Sequence, residues 1–106
     1  MENNIQPVIR LAIADSQLMV RKTICMLIAS FGSFSIDIEA CSGEDLVTQL
    51  AAAHQQPDIC VMEIAMPGKT GYDTLEEIKA RWPGMKTLVL IEVAVTGHGT
   101  SVKKRH

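Results

Sequence analysis

Three short runs of almost uninterrupted apolar residues constrain the fold of this chain more than any other feature. They are residues 8–14 (VIRLAIA), 58–63 (DICVME) and 87–91 (TLVLI). Runs this short, rich in branched side chains, are typical of strands that are covered on both faces of a parallel sheet. Residues 36–40 instead alternate apolar and acidic side chains, which predicts a half-exposed strand at an edge of the same sheet.

Segments with helical periodicity separate these four strands. The first begins after Ser16, a favourable N-cap, and capping-box patterns at residues 42–45 and 70–73 begin two further helices. We expect these two helices to run to about His54 and Trp82. The apolar spacing of the first helix predicts one buried stripe, formed by Val20, Ile24, Leu27, Ile28 and Phe31.

The regular alternation of strands and helices predicts an α/β fold in three layers, with helices on both faces of a parallel sheet. With the alternating second strand at the edge, the strand order is 2-1-3-4. Ligands bind such sheets at the carboxyl ends of the strands, where the strand order reverses. Those ends carry Asp15, Ser16 and Glu63, so two carboxylates and a hydroxyl should share one crevice.

The distribution of charge argues against several classes of function. Residues 1–95 carry seven basic and twelve acidic side chains, whereas the end of the chain carries only Lys103, Lys104 and Arg105. The excess of acidic side chains over residues 1–95 argues against direct binding of nucleic acid. No apolar run approaches the ~20 residues of a membrane span, and the N-terminus does not resemble a secretory signal, so we expect a cytoplasmic protein.

The cysteines show no spacing typical of a metal or redox site. Cys25, Cys41 and Cys60 lie in or beside apolar segments and contain no C-x-x-C pair. We therefore predict buried free thiols in a reducing compartment.

Two stretches of sequence resemble the motifs of a known family. IRLAIADS with an Arg five positions further on (residues 9–21), and PDICVMEIAMPGKTG (residues 57–71), resemble the receiver domains of bacterial two-component response regulators. The residues of these two stretches are similar to those of the NarL/FixJ-type regulators, whose receivers are joined to a helix-turn-helix output domain. The resemblance covers about residues 8–91 and implies a flavodoxin-like (CheY-like) fold.

The resemblance also implies roles for individual residues, with departures from the family pattern. Glu63 occupies the phosphoacceptor position, where the family has Asp, and Ser16 replaces the second residue of an acidic pair of which Asp15 remains. Ile91 stands at the switch position of a Thr or Ser. Asp15 and Glu63 are therefore only weak candidates for binding Mg²⁺. The extra methylene of Glu63 shifts the attacking oxygen, and misplacement by about 1 Å can cost roughly a hundredfold in rate, so we expect impaired phosphorylation.

A complete receiver has five β-α units, which this chain is too short to form. Fifteen residues follow Ile91, and one βα step takes about 30. We expect residues 1–95 to form a receiver domain that lacks the last strand and the last two helices, and residues 96–106 to form a flexible basic tail. The fourth strand would then be an exposed edge through which the chain associates with itself.

The preferred hypothesis is a non-enzymatic signalling module that acts by protein contacts. Its expected partners are a sensor histidine kinase and, in full-length relatives, a DNA-binding output domain. Two alternatives stay open: an active phosphoacceptor that uses Glu63, and an inactive truncated remnant. Glu63 itself is either a partial imitation of a phosphorylated Asp or a relic.

Overall fold

A computed structural model describes residues 8–68 and 70–91, and beyond them the backbone of two short strands. The elements are β1 (Ile9–Ala14), α1 (Leu18–Ser30), β2 (Phe34–Ala40), α2 (Gly43–Ala52), β3 (Ile59–Glu63), α3 (Gly71–Arg81), β4 (Lys86–Leu90), β5 (Ala94–Thr96) and β6 (Gly99–Ser101). The first four strands form one parallel sheet in the order β2-β1-β3-β4, and β5 and β6 form a separate antiparallel pair. The predicted alternation and the predicted strand order 2-1-3-4 are confirmed.

The central position of β1 follows from its pairing. Ile13 lies opposite Glu39 of β2 on one side and opposite Val61 of β3 on the other. The alternating strand β2 lies at the edge, as its pattern predicts. Strand β4 runs one residue ahead of the predicted 87–91 and ends at Leu90, whereas Val95 belongs to the separate antiparallel pair.

Helices α2 and α3 cover one face of the sheet and enclose the larger core. Leu46, Leu50 and Ile78 are fully buried there against residues of β1 and β3, including Met62. Side-chain oxygens begin both helices as predicted: Ser42 Oγ accepts from the backbone N–H of Asp45 at 3.0 Å, and Thr70 Oγ1 accepts from Asp73 at 3.1 Å. The helices end a little before the predicted residues, at Ala52 and Arg81.

Helix α1 covers the opposite face, and its predicted stripe is only partly buried. Ile24 and Ile28 pack against Leu11, Ile13 and Val61 of the sheet, but no residue of α1 is fully buried. The rest of the stripe is exposed, with Val20 at 40%, Leu27 at 59% and Phe31 at 67%. The prediction of five buried positions is wrong because periodicity shows which side of a helix is apolar, not how much of that side finds a partner.

Two local predictions are also corrected. The N-cap of α1 is Gln17, with no side-chain cap, and the hydroxyl of Ser16 instead donates to Glu63. Among the cysteines only Cys60 is buried, whereas Cys25 is half-buried and Cys41 is exposed in the loop after β2. The tail predicted for residues 96–106 lies largely outside the described residues, including its three basic side chains, and stays a prediction.

Candidate functional site

Asp15 and Glu63 meet where the strand order reverses, at the carboxyl ends of β1 and β3. Both side chains are buried, with 3% of Asp15 and 8% of Glu63 exposed. They share a crevice of about 210 Å³ that is lined by Asp15, Gln17, Val20, Glu63, Leu90 and Ile91. The structure therefore brings together Asp15, Glu63 and Ile91, and hydrogen bonds add Ser16 to them.

Asp15 is held by hydrogen bonds from neighbouring elements. Its backbone N–H donates to the carbonyl of Ala40 at the end of β2, at 3.1 Å. Its Oδ1 accepts from the backbone N–H of Gln17, at 2.8 Å, where α1 begins. Its carbonyl oxygen accepts from the Nη1 of Arg21 at 2.8 Å. These contacts fix the direction in which the carboxyl group enters the crevice.

Arg21 supports the site from α1, a role that its place in the motif of residues 9–21 does not indicate. Its Nε donates to Glu39 Oε1 at 3.0 Å, and its side chain is only 14% exposed. Lys22 contacts the same carboxylate from a far more exposed position. Arg21 therefore joins β2, α1 and the end of β1.

The side chain of Glu63 turns towards the end of β1. Its Oε2 accepts from the backbone N–H of Ser16 at 3.4 Å and from the hydroxyl of Ser16 at 3.3 Å. Burial raises the pKa of Glu63, and both a hydrogen bond and the negative charge of Asp15 raise it further, while the contacts with Ser16 act in the opposite sense. The ionised form of Glu63 is therefore less favourable here than in an exposed glutamate.

A tight loop follows Glu63 and connects the end of β3 to the start of α3. Met66 is buried in the larger core, and Gly68 has the positive φ of 76° that favours glycine. The backbone N–H of Gly71 donates to the carbonyl of Ile64 at 3.0 Å. A Cβ at position 71 would lie 2.3 Å from that carbonyl oxygen. The approach of α3 to the end of β3 therefore requires glycine at this position.

The donors around the crevice suit Mg²⁺ only to a limited extent. Mg²⁺ is usually anchored by one or two carboxylates, together with water, and Asp15 and Glu63 supply that minimum. Ser16, at the place of a third acid, points its donors at Glu63. Within the described residues no group of three His, Cys, Asp or Glu side chains is placed to hold a metal.

The β4 side of the crevice is apolar. Leu90 and Ile91 form it, and Ile91 is 41% exposed at the mouth. The side chains of Leu90 and Ile91 therefore offer no hydrogen bond to a group in the crevice.

A larger cleft of about 570 Å³ lies at the opposite ends of the strands. Its lining includes Ile9, Pro57, Asp58, Trp82, Met85 and Lys86. It contains no pair of buried carboxyls and does not lie where the strand order reverses at the carboxyl ends. We therefore assign the functional site to the smaller crevice. Within the described ranges, none of the helices has the length and hydrophobicity needed to span a bilayer.

Comparison with known sequences identifies the family. The family model described as response regulator receiver domain matches residues 11–104. The transcriptional regulatory protein DesR of Bacillus subtilis is 32% identical over 90 residues, which are 85% of this chain and 43% of DesR. A protein-glutamate methylesterase/protein-glutamine glutaminase of Symbiobacterium thermophilum is 32% identical over 83 residues, 78% of this chain and 22% of the enzyme. The chain spans less than half the length of both relatives.

Solved structures share the fold at lower sequence identity. The response regulator RcsB of Salmonella typhimurium matches with a TM-score of 0.73 and 19% identity, over 81% of this chain and 44% of RcsB. A response regulator receiver domain protein of Clostridium thermocellum matches with a TM-score of 0.72 and 20% identity, over 79% of this chain and 65% of that protein. Together with the family match and the strand order of the sheet, these findings show that the chain belongs to the response regulator receiver domain family. Its relatives include NarL-type regulators.

Proposed function

We propose that this receiver domain of a two-component response regulator works through protein contacts and accepts a phosphoryl group only poorly. The observation that carries the proposal is the engagement of Glu63, the residue at the phosphoacceptor position, with Asp15 and Ser16. The raised pKa of Glu63 makes its ionised form less favourable, and nucleophilic attack requires that form.

Three further features of the crevice support poor phosphorylation. Phosphoryl transfer depends on positioning and on neutralisation of charge. Glu63 extends the carboxyl group by one methylene, Ser16 supplies no charge to hold a cation, and Ile91 supplies no hydroxyl. Each change removes one contribution to the transfer, and all three affect the same crevice.

We propose that Asp15 and Glu63 are the residues that hold Mg²⁺, and that they hold it weakly. When bound, the ion would supply neutralisation of the negative charge in the crevice.

Glu63 imitates a phosphorylated aspartate only in part. Its buried carboxyl group and its contacts with Ser16 support a residue that is built into the pocket rather than a relic on the surface. One negative charge falls short of the nearly double charge of a phosphoryl group, however.

The proposed partners are a sensor histidine kinase and, in the full-length relatives, a DNA-binding output domain. RcsB, which shares the fold, has been solved as a complex with DNA. We propose that this chain has no direct contact with nucleic acid and no enzymatic activity of its own, that it works in the cytoplasm, and that it associates with itself through the edge of its sheet. Its acidic body and its free thiols support these assignments.

Intact-mass measurement after incubation with acetyl phosphate and Mg²⁺ tests the proposal. The unmodified chain is compared with Ser16→Asp/Glu63→Asp, and Ser16→Asp/Glu63→Asn serves as a control without an acceptor. We expect a phosphoryl adduct on the first variant alone. An adduct on the unmodified chain that maps to Glu63 would show an active receiver and overturn the proposal. No adduct on any of the three would favour an inactive remnant.

A further inference from the structure

The turn between β1 and α1 carries two residues of the site. Asp15 lines the crevice, and the backbone N–H and the hydroxyl of Ser16 donate to Glu63 Oε2 at 3.4 Å and 3.3 Å. Gln17 ends the turn as the N-cap of α1, and its side chain forms no capping hydrogen bond. The positions of Asp15 and Ser16 relative to Glu63 therefore depend on what else holds this turn.

Arg21 closes a ring of hydrogen bonds around the turn. Its backbone N–H donates to the carbonyl of Gln17 at 2.9 Å, and the backbone N–H of Gln17 donates to Asp15 Oδ1 at 2.8 Å. The Nη1 of Arg21 donates to the carbonyl of Asp15 at 2.8 Å. Arg21 therefore bonds to the turn of residues 15–17 at both ends, through one carbonyl at each end.

A further contact of Arg21 anchors this ring to the sheet. Its Nε donates to Glu39 Oε1 at 3.0 Å, so one guanidinium group bonds both to β2 and to the end of β1. The N–H donors of a guanidinium group stand in a fixed fork, and hydrogen bonds from a charged donor are stronger than those between neutral groups. The two bonds therefore fix the orientation of the side chain as well as its place.

We propose that Arg21 is a positioning residue of the crevice. Through the turn of residues 15–17 it holds Asp15 and the residue at position 16 in the geometry that a phosphoryl acceptor at position 63 requires. Among the described residues Arg21 does not line the crevice, so it acts through the backbone of Asp15 rather than on a bound group. The inference rests on the proposed function and deepens it: the changes at positions 16 and 63 impair phosphorylation, while the frame that positions these residues is retained.

The rate of phosphorylation of the Ser16→Asp/Glu63→Asp variant tests the proposal. Arg21→Gln, Arg21→Lys and Lys22→Gln are each added to this variant, and intact mass follows the adduct from acetyl phosphate at several concentrations of Mg²⁺. We expect Arg21→Gln to slow the reaction at least about tenfold and to raise the Mg²⁺ concentration that gives half the maximal rate, because Asp15 is displaced. Lys22→Gln should change both quantities by less than about twofold, because Lys22 contacts Glu39 from an exposed position.

Arg21→Lys separates the geometry of the side chain from its charge. Lysine keeps the positive charge but has a single ammonium group in place of the fork, so we expect it to react about as slowly as Arg21→Gln. Full recovery of the rate with lysine would overturn the positioning role. An unchanged Mg²⁺ requirement in Arg21→Gln would overturn it too, because a protein that is only less folded forms less adduct at the same requirement.

Amide resonances of the unmodified chain test the same role without phosphorylation. The N–H of Gln17 bonds to Asp15 Oδ1, and its ¹H chemical shift reports the strength of that bond. Arg21→Gln should move the Gln17 resonance to lower frequency, whereas Lys22→Gln should leave it in place. A Gln17 resonance that does not move in Arg21→Gln would overturn the proposal, even if no variant is phosphorylated. An adduct on Glu63 of the unmodified chain would instead overturn only the proposed poor phosphorylation.

Discussion

The side chains of Asp15 and Glu63, 48 residues apart in sequence, are both buried and line one crevice at the carboxyl ends of the two central strands. Burial of the Glu63 side chain and the negative charge of Asp15 both disfavour the ionised form of Glu63. In this pair Glu63 is the group whose pKa is raised. The protonation of Glu63 therefore affects the stability of the fold as well as the charge of the crevice.

Replacement of Glu63 by Gln should stabilise the protein at neutral pH. The folded-state pKa of Glu63 lies above its unfolded value, so more protons are bound in the folded state between the two values. The stability of the unmodified protein therefore falls as the pH rises through the folded pKa, and is unaffected below the unfolded value, about 4.3. Gln cannot ionise and keeps an oxygen to accept from Ser16.

Urea unfolding from pH 4 to pH 8, without divalent cations, measures this effect. The advantage of Glu63→Gln should be largest at pH 8 and should shrink towards pH 4. Glu76→Gln, on the exposed side of α3, is a matched control that should change stability little at any pH. A Glu63→Gln variant that is less stable than the unmodified chain over the whole range would contradict the assignment of the proton.

Arg21→Ala should destabilise the fold far more than Lys22→Ala, although both cations contact Glu39. Arg21 also donates to the carbonyl of Asp15, and its side chain is 14% exposed against 55% for Lys22. Loss of a hydrogen bond that involves a charged group costs about 1.5–3 kcal/mol, whereas an exposed ion pair is worth about 0–1 kcal/mol. Equal free energies of unfolding for the two variants would show that Arg21 is only a surface residue.

Gly71→Ala should lower the free energy of unfolding by about 1–3 kcal/mol, the usual cost of overpacking. The new Cβ would lie 2.3 Å from the backbone oxygen of Ile64, which cannot move away as a flexible side chain does. Gly84→Ala provides the comparison, because a Cβ at position 84 meets nothing within 4 Å. Thermal unfolding of both variants is sufficient, and a tolerated alanine at position 71 would argue against the tight loop after β3.

The three cysteines should react with iodoacetamide in the order Cys41, Cys25, Cys60. Cys41 is exposed and Cys25 half-buried, with a pKa raised by burial and by the charge of Glu39. Burial raises the pKa of the Cys60 thiol to about 12, so almost no thiolate forms at pH 8. Peptide mapping over time measures the order, and early labelling of Cys60 in the native protein would contradict the described core.

Features encoded within a few residues were predictable from the sequence. Ser42 and Thr70 cap their helices because the groups they accept from lie three positions further on. The apolar runs predicted the strands, and the alternating run predicted the edge. The meeting of Asp15 with Glu63 followed from the rule for parallel sheets.

Features that depend on distant partners were not predictable in the same way. Ser16 looked like an N-cap, but its hydroxyl donates to Glu63, 47 positions away. Arg21 has no sequence signal for its contact with Glu39, which requires β2 to lie beside the start of α1. The exposure of Leu27 and Phe31 likewise depends on how far α1 extends over the sheet, which periodicity does not contain.

The floor and the rim of the crevice belong to strands that differ in how many neighbouring strands they pair with. Asp15 and Glu63 end β1 and β3, which are paired on both sides, whereas Leu90 and Ile91 lie at the end of β4, which has one neighbour in the described sheet. Backbone amides of edge strands open more readily than those of central strands. Hydrogen exchange at the rim can therefore proceed while the floor stays closed. Substitutions at Leu90 and Ile91 should therefore cost little folding stability. They can change which ligands the crevice admits while Asp15 and Glu63 stay in place.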